Sequence, residues 1–129
     1  ARLVIARGGQ GIAVRCDHAV DSEVEALFDR IRVDHGRLDL LVNNVWGGYE
    51  DSQCRPLSRV PFWEQPLRQW DGMFTAGVRA HLTASRLAVP LMLPQRRGLI
   101  VSTTANVNPT SPASLTRPSA FSTLTAWAM

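Results

Sequence analysis

Gly36-Arg37-Leu38-Asp39-Leu40-Leu41-Val42-Asn43-Asn44 is the stretch that decides the reading of this 129-residue sequence. Gly36 is a helix stop. The mostly apolar run Leu38 to Val42 has the length and composition of a buried parallel strand. Two asparagines follow at its carboxyl end. Just upstream, Ser22 reads as a helix N-cap, with Glu25 three residues on completing a capping box. Val24, Leu27, Phe28 and Ile31 then recur at helical spacing as one apolar stripe. Earlier still, Gly11 to Cys16 is a short β-prone run ending at Asp17. Residues Ala1 to Arg7 read as a helix end stopped by Gly8-Gly9.

Downstream, the chain is irregular from Trp46 to Leu67, and a loop of that length inside a compact domain is usually functional. A long amphipathic segment follows, from about Arg68 to Leu93, with Met73, Val78, Leu82 and Leu87 on its apolar face. Pro90 is expected to kink or shorten it, because proline removes a helical hydrogen bond. After the turn at Arg96-Arg97-Gly98, Leu99-Ile100-Val101 reads as a second buried strand leading into Ser102-Thr103-Thr104. Beyond Ala105 the sequence turns rich in serine, threonine and proline, with weak periodicity. The expectation is therefore a body over residues 1–105 and a solvated or poorly ordered tail over 106–129.

Strands alternating with helices predict an α/β fold with β-α-β units and a parallel sheet, doubly wound, with helices on both faces. Ligands of such sheets bind beyond the carboxyl ends of the strands. Asp17, Asn43-Asn44 and Ser102–Thr104 all fall there, and this concentration of polar residues marks the candidate site.

Composition narrows the partners. The formal net charge is +3 and the sequence pI about 9.7. The 14 basic residues are all arginine, and they are scattered along the chain with only Arg96 and Arg97 adjacent. No basic face of the kind that binds nucleic acid is apparent, so none is expected as a partner. Cys16 and Cys54 form no C-x-x-C pair, and His18, His35 and His81 lack metal-site spacing. Two free thiols and no metal are expected. No apolar run of about 18 residues occurs and no signal peptide is visible, so the expectation is a cytoplasmic chain with no membrane association.

From Cys16-Asp17 through Phe28 to the run ending at Asn43-Asn44, the sequence resembles the short-chain dehydrogenases/reductases. The segment Phe62-Trp63-Glu64-x-Pro66 with Trp70-Asp71 is similar to a narrower group, the dehydrogenase/reductase family member 1-like branch. The resemblance covers Ala1 to about Ala105 and implies a partial Rossmann-type fold holding NAD or NADP. It implies that Asp17 accepts a hydrogen bond from the adenine amino group, that the backbone of His18 lies against the same ring, and that Asn43 and Asn44 are the asparagines of the family's N-N-A-G motif. Here Val45-Trp46 replaces Ala-Gly. Gly77 stands where most members carry the asparagine of the catalytic tetrad, and the narrower branch itself has glycine there.

The resemblance also implies a reaction: hydride transfer between the cofactor and a carbonyl or alcohol substrate, with a tyrosine as acid or base and a lysine four residues later lowering its pKa. That Tyr-x-x-x-Lys motif is missing. The one tyrosine, Tyr49, matches no catalytic position, and there is no lysine. By family spacing the tyrosine would fall near Arg117. Thr104 is the best match for the substrate-orienting hydroxyl, with Ser102 and Thr103 as neighbours. The family's glycine-rich turn would precede Ala1. Gly8-Gly9-x-Gly11 does not replace it, because it follows a helix end and precedes a strand. The residue choosing NAD or NADP is not seen, and no oligomeric state is assigned. The expectation is a fragment of an oxidoreductase of this family, inactive as given, such as a truncated or frameshifted gene product leaves. The alternative is a degenerate module that binds a nucleotide or a protein without catalysis.

Overall fold

A computed structural model describes residues 1–47, 61–105 and 122–128 of the chain. Tyr49, Cys54 and Arg117 lie outside the described residues, as does most of the irregular loop. The elements run α1 (Arg2–Ala6), α2 (Asp21–His35), β1 (Leu40–Asn43), α3 (Leu67–Met73), α4 (Ala80–Met92), β2 (Leu99–Ala105) and β3 (Ser122–Ala128). A π-helical turn, Phe74–Arg79, joins α3 to α4 without a break, and short 3-10 turns occupy Phe62–Glu64 and Leu93–Gln95.

The sheet order is β1-β2-β3. β1 and β2 are parallel, with Leu41 opposite Ile100 and Asn43 opposite Ser102. The connection between them runs through α3 and α4, which is the crossover a parallel pair requires. β3 pairs antiparallel with β2, Val101 facing Ala126. An otherwise parallel α/β sheet commonly carries such an antiparallel strand. Residues 122–128, read from sequence as part of a solvated tail, thus form a strand.

The core lies where α2 meets α4 over one face of this sheet. Val24 and Phe28 of α2 interdigitate with Ala84, Ala88, Leu91 and Met92 of α4, and Leu41 and Ile100 pack beneath them. Gly36 takes the left-handed conformation expected of a helix stop, φ 70°, and its N–H donates to the carbonyls of Ile31 and Arg32. On the opposite face of β1, Leu40 and Val42 are each half exposed. β1 is therefore parallel as expected but buried on one side only.

Four further sequence expectations change. The capping box is absent: α2 begins at Asp21 with Val20 as N-cap, and no side chain caps it. Gly11 to Cys16 forms no strand. The run pairs with no described segment, and a β-prone stretch without a ladder partner leaves its backbone to water. The apolar face of the long helix is also displaced. Val78 and Leu82 are 56% and 69% exposed, while the alanines at 80, 84 and 88 turn inward. Leu87 of the expected face does pack against the core, but Leu82, five residues earlier and also beyond the π turn, lies off the face that holds Ala84, Ala88 and Leu91. The small alanines then let α2 approach closely. Finally, α4 runs through Pro90 and ends at Met92, where it tightens into the 3-10 turn.

Candidate functional site

Two stretches of backbone form a pocket beyond the carboxyl end of β1. One is Arg15-Cys16-Asp17-His18-Ala19, the other Val45-Trp46-Gly47, and Ala76 of the π turn lies between them; the cavity is about 350 Å³. This lies at the lower end of the size range of small-molecule sites.

The first wall is a turn held by local bonds. Asp17 Oδ1 accepts the Ala19 N–H at 2.9 Å, and the Asp17 carbonyl accepts the Val20 N–H at 3.0 Å. The Asp17 N–H donates to Glu23 Oε2 at 2.8 Å. Glu23, in the first turn of α2, thus makes the backward reach to backbone that the sequence pattern assigned to Glu25. Asp17 is exposed, and no donor among the described residues meets its Oδ2. His18 Nδ1 is buried with no hydrogen-bond partner among the described residues. Cys16 packs partly into the core, and its thiol is held above the usual range, first by burial and then by the carboxylates of Glu23 and Asp17. A thiol so placed is a weak nucleophile.

The second wall is clamped from α4. Asn43 is buried, and its Nδ2 lies 3.0 Å from Ser85 Oγ, 3.4 Å from Ser102 Oγ and 3.5 Å from the His81 carbonyl. One turn earlier on α4, His81 Nε2 lies 2.9 Å from the Val45 carbonyl. Thr103 Oγ1 donates to Asn44 Oδ1 at 2.7 Å and lies 3.3 Å from the Asn43 carbonyl. His81 and Ser85 are four residues apart and therefore share a helix face. Together they fix the chain as it leaves β1.

The sequence-derived candidates therefore divide. Asp17 and His18 line the pocket together with Trp46. Asn43 and Asn44 do not line it; they brace the strand end that carries Val45-Trp46-Gly47. Thr104 lies within β2 opposite Thr123, and its side chain is outside what is described. Sequence reading passed over His81 and Ser85. Their i, i+4 spacing on a helix was the available signal, but nothing in it says which strand they face. No group of His, Cys, Asp and Glu among the described residues is arranged to hold a metal ion. No helix among them is long and apolar enough to cross a membrane.

A bidentate ion pair ties the two walls at a distance. Arg79, last residue of the π turn, donates Nη1 to Asp21 Oδ1 at 2.6 Å and Nη2 to Oδ2 at 2.5 Å. The Asp21 carboxyl is held below its usual range mainly by this hydrogen-bonded guanidinium.

A strand-turn site at the end of a parallel β-α-β crossover is where Rossmann-type proteins hold dinucleotides. The family profile described as short chain dehydrogenase matches residues 2–116, and the chain belongs to that family. Within it, the chain is similar to human dehydrogenase/reductase SDR family member 1, with 40% identity over 95 residues, 73% of this chain and 30% of that protein. Its structure resembles that of 7α-hydroxysteroid dehydrogenase complexed with NADH and 7-oxo glycochenodeoxycholic acid, with a TM-score of 0.65 and 29% identity over 88% of this chain and 43% of that one. A metagenomic short-chain oxidoreductase in complex with NADP shares the fold, with a TM-score of 0.66 and 24% identity over 88% of this chain and 49% of that one. The chain thus spans less than half the length of these relatives.

Proposed function

We propose that residues 1–105 supply the adenine side of an NAD(P)(H) site in an oxidoreductase of the short-chain dehydrogenase family, and that the 129-residue chain does not by itself transfer hydride. The pocket between Asp17-His18-Ala19 and Val45-Trp46-Gly47 is the observation that carries this reading. Adenine presents an amino donor, and an exposed carboxylate is an acceptor-only group that meets it. The unpartnered ring nitrogen of His18 gives the same wall a second polar group awaiting a ligand. Among relatives of similar fold, one binds NADH and another NADP. The pocket residues touch the adenine end common to both, so they do not discriminate between them.

When bound, the reduced cofactor would supply hydride to a carbonyl, or the oxidised cofactor would accept hydride from an alcohol, in the complete enzyme. In this chain Asp17 holds the base, Trp46 and Gly47 bound the other side, and Asn43 with His81 and Ser85 keeps that side rigid. The chain's own residues do not complete the proton relay. A phenol needs a nearby positive charge to work near neutral pH, and the sequence contains no lysine. Thr104 is our assignment for the hydroxyl that orients the substrate oxygen, by its place after Ser102-Thr103 on β2. A cytoplasmic location and a small carbonyl or alcohol substrate for the full-length protein belong to the same proposal.

Titration calorimetry with ADP, on the whole chain and on Asp17→Ala, tests it. ADP is expected to bind the chain, and Asp17→Ala to weaken it by about tenfold or more, as loss of a hydrogen bond to a charged group does. Unchanged affinity in Asp17→Ala would remove Asp17 from the site. NADPH-dependent carbonyl reduction by the 129-residue chain would overturn the assignment of inactivity.

A further inference from the structure

Two residues that depart from the family's common pattern touch each other. Gly77, buried in the π turn, has no side chain, and a Cβ built there would stand 2.6 Å from Cζ3 and 2.7 Å from Cε3 of Trp46. No side chain fits at position 77 while the indole stays in place, since real Cβ atoms do not approach carbon so closely. The converse also holds: an indole seated in this position needs a glycine opposite. Each departure taken alone reads as a defect, bulk beside a cofactor or a lost side-chain donor. Taken together they form one packed unit. Ala76, the neighbour of Gly77, and Trp46 both line the pocket, facing the wall that carries Asp17 and His18. Trp46 nevertheless stays 55% exposed, so the indole is seated on Gly77 without being closed over. π-helical turns inside α-helices frequently mark functional positions, and this one brings bare backbone up to the ring. The Val45 carbonyl, one residue earlier, is fixed by His81, so the indole is anchored on both its backbone and its ring edge.

We propose that Gly77 is the seat of Trp46, and that Trp46 so seated is a specificity-determining wall of the pocket that selects ligands carrying a planar heteroaromatic base. This rests on the reading of the pocket given above and adds the source of its selectivity. An indole stacks on any base but gains nothing comparable from a sugar phosphate. The pocket therefore binds ADP through the base as well as through Asp17. Ribose 5-phosphate, which lacks the base, binds poorly.

The test uses the full chain, with ADP and ribose 5-phosphate as probes and the Trp46 indole N–H resonance, assigned from Trp46→Phe, as reporter. Trp46→Ala is expected to weaken ADP roughly tenfold, within the range found when a base-stacking aromatic is truncated. Trp46→Phe, which keeps a stacking ring, is expected to stay within about threefold of the parent. Gly77→Ala is expected to move the Trp46 resonance and to weaken ADP as Trp46→Ala does. Trp46 is largely exposed, so its variants fold even if Gly77→Ala does not. Equal ADP affinity in the parent and Trp46→Ala, or ribose 5-phosphate bound as tightly as ADP, would overturn the wall while leaving the Asp17 reading intact. An unmoved Trp46 resonance in a folded Gly77→Ala would overturn the seat. Failure of the parent chain to bind ADP at all would overturn both the reading of the pocket and the wall built on it.

Discussion

The two walls of the pocket are held in opposite ways. The Asp17–Ala19 wall is a surface turn closed by bonds between residues at most six apart in sequence. The Val45–Gly47 wall is held by His81, 36 residues away on α4, and the Asn43 just before it by side chains 42 residues away on α4 and 59 residues away on β2. The first kind of wall adapts locally and contributes little to global stability. The second is part of the fold, so damage there spreads to the β1–α4 packing. A site built this way presents a hydrogen-bonding carboxylate on an adaptable turn and an aromatic ring on a rigid mount.

The comparison breaks most visibly at Asn43. Asn43→Ala removes the amide that Ser85, Ser102 and the His81 carbonyl share, and leaves part-buried hydroxyls unsatisfied. The expected cost is about 1–3 kcal/mol. For a chain of this size each kcal/mol lowers Tm by roughly 3–6 °C. Thermal unfolding by circular dichroism reads it directly. A Tm within about 1 °C of the parent would mean the second wall is no more rigid than the first.

A smaller effect lies at the Asp21–Arg79 pair, which joins α2 to the π turn across the surface. The folded Asp21 carboxyl titrates below its usual value because of the guanidinium. Its contribution is therefore present above the unfolded carboxylate value of about 3.9 and is lost as pH falls through the lower folded value. The parent is expected to exceed Asp21→Asn slightly in Tm at neutral pH and low salt. The gap should close in acid below the folded value and shrink at high salt. A gap that widens in acid would contradict the assigned cause.

The smallest effect sharpens the first wall alone. Glu23→Gln keeps an acceptor for the Asp17 N–H but removes a charge that helps hold the Cys16 thiol up. In a Cys54→Ser background, the pH profile of Cys16 alkylation is expected to move to lower pH without reaching that of a free thiol, because burial is the larger cause. No movement would remove Glu23 from the causes and leave burial and Asp17.

Much of this was legible in the sequence, for identifiable reasons. The stripe Val24, Leu27, Phe28 and Ile31 and the stop at Gly36 depend on local chemistry, and the structure keeps the stop and places Val24, Phe28 and Ile31 of the stripe in the core. The run ending at Asn43-Asn44 located the strand and the end where the site lies. What the sequence hid depends on partners. Gly11 to Cys16 has strand composition, yet strand formation needs a neighbour and none is described beside it. Val78 and Leu82 share a helical spacing with each other, yet the buried face of α4 is the one with Ala84, Ala88 and Leu91, and only the position of α2 decides which face is covered. Ser22 and Glu25 spell a capping box, but the N-cap lies two residues earlier, at Val20, and Glu23 reaches the turn instead. Asp17 stands out from the pattern by its place at the end of a β-prone run, but the part expected of it and of His18 comes only from the family resemblance. The contact between Trp46 and Gly77 lies 31 positions apart in sequence, and only the fold brings the two residues together.

The central claim is that a dinucleotide's adenine end enters between the two walls, and amide NMR of the labelled chain titrated with ADP tests it most directly. The account predicts saturable shifts at His18, Ala19, Trp46 and Gly47, with the α2 residues Asp29 to His35 unmoved. Shifts confined to other surfaces, or none at millimolar ADP, would contradict it.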